Sequence, residues 1–299
     1  MKLSMFLIDE GNDFQQELKA HALAEAARQG VELTVFFTGE TLVGHLDALR
    51  LAIEGSKPDA MIVMSLRDQG LLRIVRQAAA AGIHWVFLNR TEDDLDSLRR
   101  ERPGSAICVV CADELEIGRI QGRQIRALLP AGGKVLCVQG ASRSLTARER
   151  LAGLQEATAD AHIEVMSCGG DWQPEVARSA VRDWLRLAAR GRTAIDLISC
   201  QNDHLAGGAL QGLADAAAEL GRPELGRLPV AGCDGLASVG QKMVRDGRLV
   251  ATVVLPQVGA RAVDVIVGFL RGGPRPAPYT GLAATPFPRY EELRPLSRA

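Results

Sequence analysis

The chain has 299 residues, 47% of them apolar and 24% charged, with 35 basic against 36 acidic side chains. That length gives room for two compact lobes, and a net charge of −1 leaves no electrostatic footprint for nucleic acid. No apolar run approaches the roughly 20 residues that a membrane-spanning helix needs.

Leu3–Ile8 reads as a first strand. Met1-Lys2 leads straight into it, with no apolar leader region and no small-residue cleavage site. Two readings stand: a leader has been removed and the protein resides in the periplasm, or it stays in the cytoplasm. The strand ends in a polar loop, Asp9–Asp13, with Phe14 beside it. A helix to about Gln29 follows, with Leu18, Ala22 and Ala26 on one face, closed by Gly30. The alternation continues: strand Val31–Phe37, helix His45–Glu54, strand Pro58–Met64, and a helical stripe of Leu71, Leu72, Ile74, Val75, Ala78 and Ala79. Strand Ile83–Leu88 stops at Asn89-Arg90. The charged stretch Thr91–Gly104 reads as an exposed loop. Strand Ala106–Cys111 ends at Ala112-Asp113. The helix after it carries Gly118 and Gly122 four apart, which suits close packing on another element.

A second set of units follows. Val135–Val138 precedes helix Thr146–Ala159, which contains Arg148 and Arg150. Ile163–Ser167 ends in Cys168-Gly-Gly-Asp171-Trp172, before helix Pro174–Ala189. Ile195–Ser199 runs to Gln201-Asn202-Asp203 and helix Leu205–Leu220. Leu228–Cys233 ends abruptly at Asp234-Gly235, and Leu249–Val254 at Leu255-Pro256. Neither run alternates polar with apolar, so both read as strands buried on both faces. Helix Gly259–Leu270 precedes a proline-rich tail read as a crossing segment with one short final strand.

Regular βα alternation implies α/β architecture with parallel sheets and right-handed crossovers. Ten or more strands divide more naturally into two doubly wound lobes than into one open sheet. The six cysteines all fall in or beside strand-like runs and read as free, buried thiols. Cys108-Val-Val-Cys111 has CxxC spacing, but inside a strand its ends face opposite sides. The histidines have no metal-ligand spacing. No GxSxG, phosphate loop or dinucleotide fingerprint follows a strand, so neither a catalytic group nor a cofactor or metal site is expected.

Several ordered motifs carry a family resemblance: Asn12-Asp13-Phe14-Gln15, Asn89-Arg90, Ala147-Arg148-Glu149-Arg150 with Ala152-Gly153, Asp171-Trp172, Gln201-Asn202-Asp203 with Ala209-Leu210, Cys233-Asp234-Gly235, and Asp246-Gly247 with Ala251-Thr252-Val253. Together they resemble the type I periplasmic sugar-binding proteins, the family of ribose-binding protein and of LacI-type effector domains. The resemblance implies a clamshell of two lobes with a ligand cleft between them. The lobes would be 1–112 plus 256–277, and 113–255 plus 278–299, with crossings near Ala112-Asp113, Leu255-Pro256 and Ala277-Pro278. It implies a monomer that binds a sugar-like small molecule and delivers it to the membrane permease of an ABC importer. The alternative is a sensor reporting to a kinase or regulator.

A sugar presents hydroxyls all round and weakly apolar C–H faces, so its site needs planar hydrogen-bonding side chains and aromatic rings. On the matched positions, Phe14 and Trp172 would sandwich the ring. Arg90 and Arg148 would donate fork-like bonds. Asp234 would accept from two hydroxyls, and Asn89 and Asn202 would do both. Asn12, Gln15 and Gln257 are secondary candidates. Each has a plainer role open to it: Trp172 in the core, Phe14 as a staple under the first helix, Arg148 as a solvated helix residue, Asp234 in a turn with Gly235. Asn202 for the ligand and Asp203 for the helix cap would satisfy both readings at that site. Asn89 where the family often has Asp, Leu255 where it often has Gln, and Gln15 for its second Phe alter the hydroxyl pattern that can be satisfied. They point away from ribose itself. Two arginines against one clear aspartate leave room for an acidic or modified sugar.

Overall fold

The computed structural model describes residues 1–66, 70–89, 94–191 and 194–296. Along the chain the elements are β1 (Lys2–Leu7), α1 (Asp13–Gln29), β2 (Glu32–Phe37), α2 (Leu42–Leu51), β3 (Ala60–Met64), α3 (Leu72–Ala80), β4 (His84–Leu88), α4 (Leu95–Glu101), β5 (Ile107–Ala112) and α5 (Glu114–Leu128). They continue with β6 (Gly133–Gln139), α6 (Leu145–Thr158), β7 (Ile163–Gly169), α7 (Pro174–Gly191), β8 (Leu197–Cys200), α8 (Asp203–Leu220), β9 (Val230–Ala231), α9 (Gly240–Arg245), β10 (Thr252–Val254), α10 (Val258–Leu270), β11 (Tyr279–Leu282) and β12 (Thr285–Phe287).

The chain divides into two compact units, Met1–Ala112 with Pro256–Leu282, and Asp113–Leu255 with Ala283–Ala299. In the first, six parallel strands run in the order β11-β5-β4-β3-β1-β2. β3 is buried along its whole length, as its unbroken apolar sequence requires, while the edge strand β2 alternates. Trp85, Phe87, Ile74, Val75 and Leu49 pack into one core beside it. The sequence reading of α1 holds in detail: Leu18, Ala22 and Ala26 are buried, and Gly30 takes the left-handed conformation that closes the helix.

The second unit has the parallel order β7-β6-β8-β9. Parallel bridges Ala231–Ala251 and Asp234–Val254 carry it on toward β10, which pairs antiparallel with β12. Both units therefore wind outward from their first strand, with the reversal of direction beside it. In such sheets ligands are held beyond the carboxyl ends of the strands near that reversal. Helices α5 and α6 lie so close that a Cβ on Gly118 would stand 2.1 Å from the Arg150 carbonyl oxygen, and one on Gly153 2.0 Å from that of Leu115.

Three expectations are corrected. The stretch 91–104 is not all loop. Its first three residues lie outside the described ones, but α4 follows, because Leu95 and Leu98 sit one helical turn apart and bury themselves in the first core. The tail forms two strands rather than one. β11 adds to β5 in the first unit, so that division falls after Leu282 and not near Ala277-Pro278. Cys108, Cys137, Cys200 and Cys233 are buried as expected, but Cys111 and Cys168 are only half-buried, and burial pushes the Cys108 and Cys137 thiols up to about 12 and Cys168 to about 11.

Candidate functional site

The nominated residues that are described follow the carboxyl ends of strands, some in each unit. In the first, Asn12 ends the loop after β1 and caps α1, its Oδ1 accepting from the Gln15 N–H at 3.1 Å. Gln15 is buried, and its Oε1 accepts from the N–H groups of Ile8 and Asp9 at 2.8 and 3.1 Å. Both secondary candidates thus spend their oxygens on holding the strand end to the helix. Phe14 between them is half-buried. Asn89 follows β4 with φ +60°, and its Oδ1 is buried with no hydrogen-bond partner among the described residues. A buried acceptor left without a donor costs about 1–3 kcal/mol, so this position is poised to take one. Arg90 lies outside the described residues. Gln257 is exposed at the start of α10 and makes no capping bond.

In the second unit four strand ends contribute. Trp172 follows β7 with φ +61°, preceded by Asp171 at +49°. Its indole lies where a Cβ on Gly140 would be, 2.0 Å away, so the glycine of the β6 loop makes room for the ring. One side of the ring packs on the second core, and the residue stays half-buried. The plainer core role of Trp172 is thus met in part, with some of the residue left exposed. Arg148 is exposed in the first turn of α6. The helix cap expected of Asp203 falls to Asn202 instead. Asn202 caps α8, its Oδ1 accepting from Leu205 N–H at 2.7 Å. Asp203 is buried, accepting from Gly235 N–H and from Thr252 Oγ1, each at 2.8 Å. Burial, and after it the charge of Asp234, pushes its carboxyl well above the ordinary range.

Asp234 has φ +96°, stands at the end of β9, and is 9% exposed. Its carbonyl accepts from Leu255 N–H at 3.1 Å. Burial raises its carboxyl to about 6, against the opposing pull of Arg150. Arg150 was not among the nominated residues, and it organises this corner. It is 4% exposed. Its Nε donates to Glu114 Oε2 at 2.7 Å, and its Nη1 faces Asp234 Oδ1 at 3.3 Å, Cys233 Sγ at 3.4 Å and the Gln201 carbonyl. Burial works against the charge on Arg150, but Cys233, Glu114 and Asp234 outweigh it and hold the group protonated. Gln201 ties the corner to α6, accepting from Gly140 N–H at 2.9 Å and donating to the Ala147 carbonyl at 2.7 Å. Helical spacing could have found Arg150, since it falls three residues after Ala147 and four before Leu154, both on the buried face.

Four of the six non-glycine residues with positive φ among those described, Asn89, Asp171, Trp172 and Asp234, are at these strand ends. Each costs of order 1–3 kcal/mol, and such strain collects where a side chain must be aimed. No group of histidine, cysteine and carboxylate among the described residues could hold a metal. A surface pocket of about 330 Å3 lined by Arg186, Ala189, Arg190, Glu219 and Leu220 lies at the far ends of α7 and α8, toward the amino ends of the strands and away from these residues.

Comparison with known proteins bears on the whole chain. The ribose import binding protein of Salmonella typhimurium is 28% identical over 87% of this chain and 82% of its own length. A periplasmic solute-binding protein of an ABC transporter from Actinobacillus succinogenes, solved with D-allose, shares the fold at a TM-score of 0.82 and 18% identity, covering 97% of this chain and 98% of that one. The fructose-binding periplasmic domain of a hybrid two-component system shares it at 0.79 and 22% identity, over 96% of this chain and 90% of that one. Residues 3–274 match the family described as the periplasmic binding protein domain. With the ordered motifs and the two doubly wound sheets already in view, the chain belongs to that family, in the type I form its motifs resemble.

Proposed function

We propose that this chain binds a sugar or sugar-like polyol as the substrate-recognition component of an ABC importer, working in the periplasm and closing on its ligand as the family resemblance implies. The observation that carries the reading is the collection of polar and aromatic side chains at strand carboxyl ends, several of them in strained backbone: Asn89, Trp172 and Asp234. Phe14, Arg90, Arg148 and Asn202 are proposed to join them. Asn202, with its oxygen committed to the helix cap, would offer its amide N–H. The reading is binding without catalysis, since the proposed groups are hydrogen-bonding and aromatic. The relatives that bind ribose and allose support a polyhydroxylated ligand.

The test is thermal shift against pentoses, hexoses, polyols and sugar acids. Ligand at about 100 times its Kd stabilises the native state by roughly 2.7 kcal/mol, and Asp234→Asn should abolish the response. Asparagine is a better probe than alanine because it keeps a polar group opposite Arg150. Undiminished stabilisation in Asp234→Asn would overturn the site.

A second reading is a periplasmic sensor domain, favoured by the likeness to the fructose-binding domain of a two-component system. Disruption of the gene separates the two. Loss of ligand uptake supports the importer; intact uptake with lost transcriptional induction supports the sensor.

A further inference from the structure

Glu114, Arg150 and Asp234 form a buried line of alternating charge. The side chains are 9, 4 and 10% exposed, so none is screened by solvent. The line is asymmetric. Arg150 Nε meets Glu114 at 2.7 Å, a full-strength charge-assisted bond, whereas Nη1 stands 3.3 Å from Asp234 and divides its hydrogens with the Gln201 carbonyl and Cys233. Two carboxylates therefore compete for one guanidinium, and Glu114 has the shorter contact. Among the described residues, the charged or titratable groups that act on Asp234 are Arg150 from α6, Glu114 from α5, Asp203 from α8, and its neighbour Cys233. Asp203 is occupied with Gly235 and Thr252.

We propose that Arg150 is a positioning residue for the Asp234 carboxylate, and that Glu114, by taking the larger share of the same guanidinium, sets how readily Asp234 accepts hydrogen bonds from a hydroxylated ligand. An acceptor whose charge is fully matched by an arginine is a weak partner for hydroxyls. One left with a long, divided contact keeps lone pairs available, at the cost of being easier to protonate. Glu114 thus trades acid tolerance for acceptor strength, and it does so through Arg150 from the first turn of α5. The ligand's identity rests on the sugar-binding reading, but the coupling among the three side chains does not.

The experiment separates them. In ligand-free protein carrying 13C-labelled aspartate carboxyls, the Asp234 resonance is identified by its loss in Asp234→Asn and titrated from pH 4 to 8. In Glu114→Gln, Arg150 turns fully to Asp234, and the titration midpoint should fall by about one pH unit or more, as removal of a like charge and strengthening of an opposite one require. In Arg150→Lys, whose compact ammonium cannot span both partners, it should rise. An Asp234 midpoint unmoved or raised by Glu114→Gln, or lowered by Arg150→Lys, overturns the proposal. If Glu114→Gln fails to fold, Arg150→Lys alone decides. D-ribose and D-allose are then titrated across the same pH range. Affinity in Glu114→Gln should hold to lower pH but be several-fold weaker above pH 7. Equal affinity above pH 7 overturns the acceptor argument, while failure of every sugar to bind either protein removes the functional reading and leaves the carboxyl titration standing.

Discussion

Asp203 does the work that joins three segments of the second unit. Its carboxyl receives the Gly235 N–H and the Thr252 hydroxyl, and Gly232 and Gly240 lack side chains where a Cβ would stand 2.2 and 2.0 Å from its oxygens. The residue is a junction, so its geometry matters more than its charge. Burial holds its carboxyl well above the usual range, which means that ionising it costs the folded state. A group with a raised folded pKa lends its stability fully below the unfolded value near 4, and loses it as pH climbs toward the folded value. Asp203→Asn keeps the acceptor for Gly235 and removes the charge. It should match the parent at pH 4 and gain on it as pH rises to 7. Asp203→Ala should be about 2–4 kcal/mol less stable than Asp203→Asn at any pH, through two stranded donors and a cavity. Urea midpoints of the two variants measure both, and an alanine variant as stable as the asparagine one would remove the junction role.

At the scale of elements, the contact of α5 with α6 depends on bare backbone. Gly118 meets the Arg150 carbonyl and Gly153 the Leu115 carbonyl, and neither neighbour can swing aside as a side chain would. α7 and α8 repeat the device, with Gly208 against the Pro174 carbonyl at 2.1 Å and Gly212 against that of Arg178 at 2.5 Å from an added Cβ. Gly118→Ala or Gly153→Ala forces the helices apart by over an ångström, which overpacking data place at about 1–3 kcal/mol or more. Gly207→Ala is the control, since a Cβ there meets nothing within 4 Å; it should be neutral or stabilising by about 0.5–1 kcal/mol, the ordinary helical preference of alanine. Equal melting points for Gly153→Ala and Gly207→Ala would rule out the close approach. Because α5 and α6 carry Glu114 and Arg150, the clashing variants should also disturb the Asp234 titration.

Across the whole molecule, the sequence made legible what depends on periodicity and order. Apolar runs ending in polar residues placed the strands and their carboxyl-end loops, and Gly118 with Gly122 announced a close helix contact. What needs partners from distant segments was hidden. Asn202 and Asp203 are neighbours of the same chemical kind, and one residue in the helix start decides which caps and which is buried. Arg150 could be assigned to a buried face from spacing, but only the fold brings Glu114 and Asp234 to it. The two units also differ in their response to acid. In the first, His45 and His84 are held neutral, their pKa values lowered by burial. The Thr38 hydroxyl donates to the Leu7 carbonyl at 3.0 Å, so His45 Nδ1, 2.7 Å from Thr38 Oγ1, must carry the ring hydrogen. His84 Nδ1 accepts from Ala106 N–H at 3.3 Å, a bond lost on protonation. In the unfolded chain both rings take up protons below about pH 6.5, so each withdraws stability as pH falls through that value, by at most about 1.4 kcal/mol per pH unit. In the second unit Asp203 and Asp234 have raised values, so the same acidification relieves a cost. Hydrogen exchange, corrected for the intrinsic rate at each pH, should therefore find β3 and β4 less protected at pH 5.5 than at 7.5 relative to β6 and β8. His45→Gln, which keeps a donor for Thr38 without a titrating ring, should shrink that difference. If β3 and β4 keep the same relative protection at both values, the two histidines do not govern the acid response of the first unit.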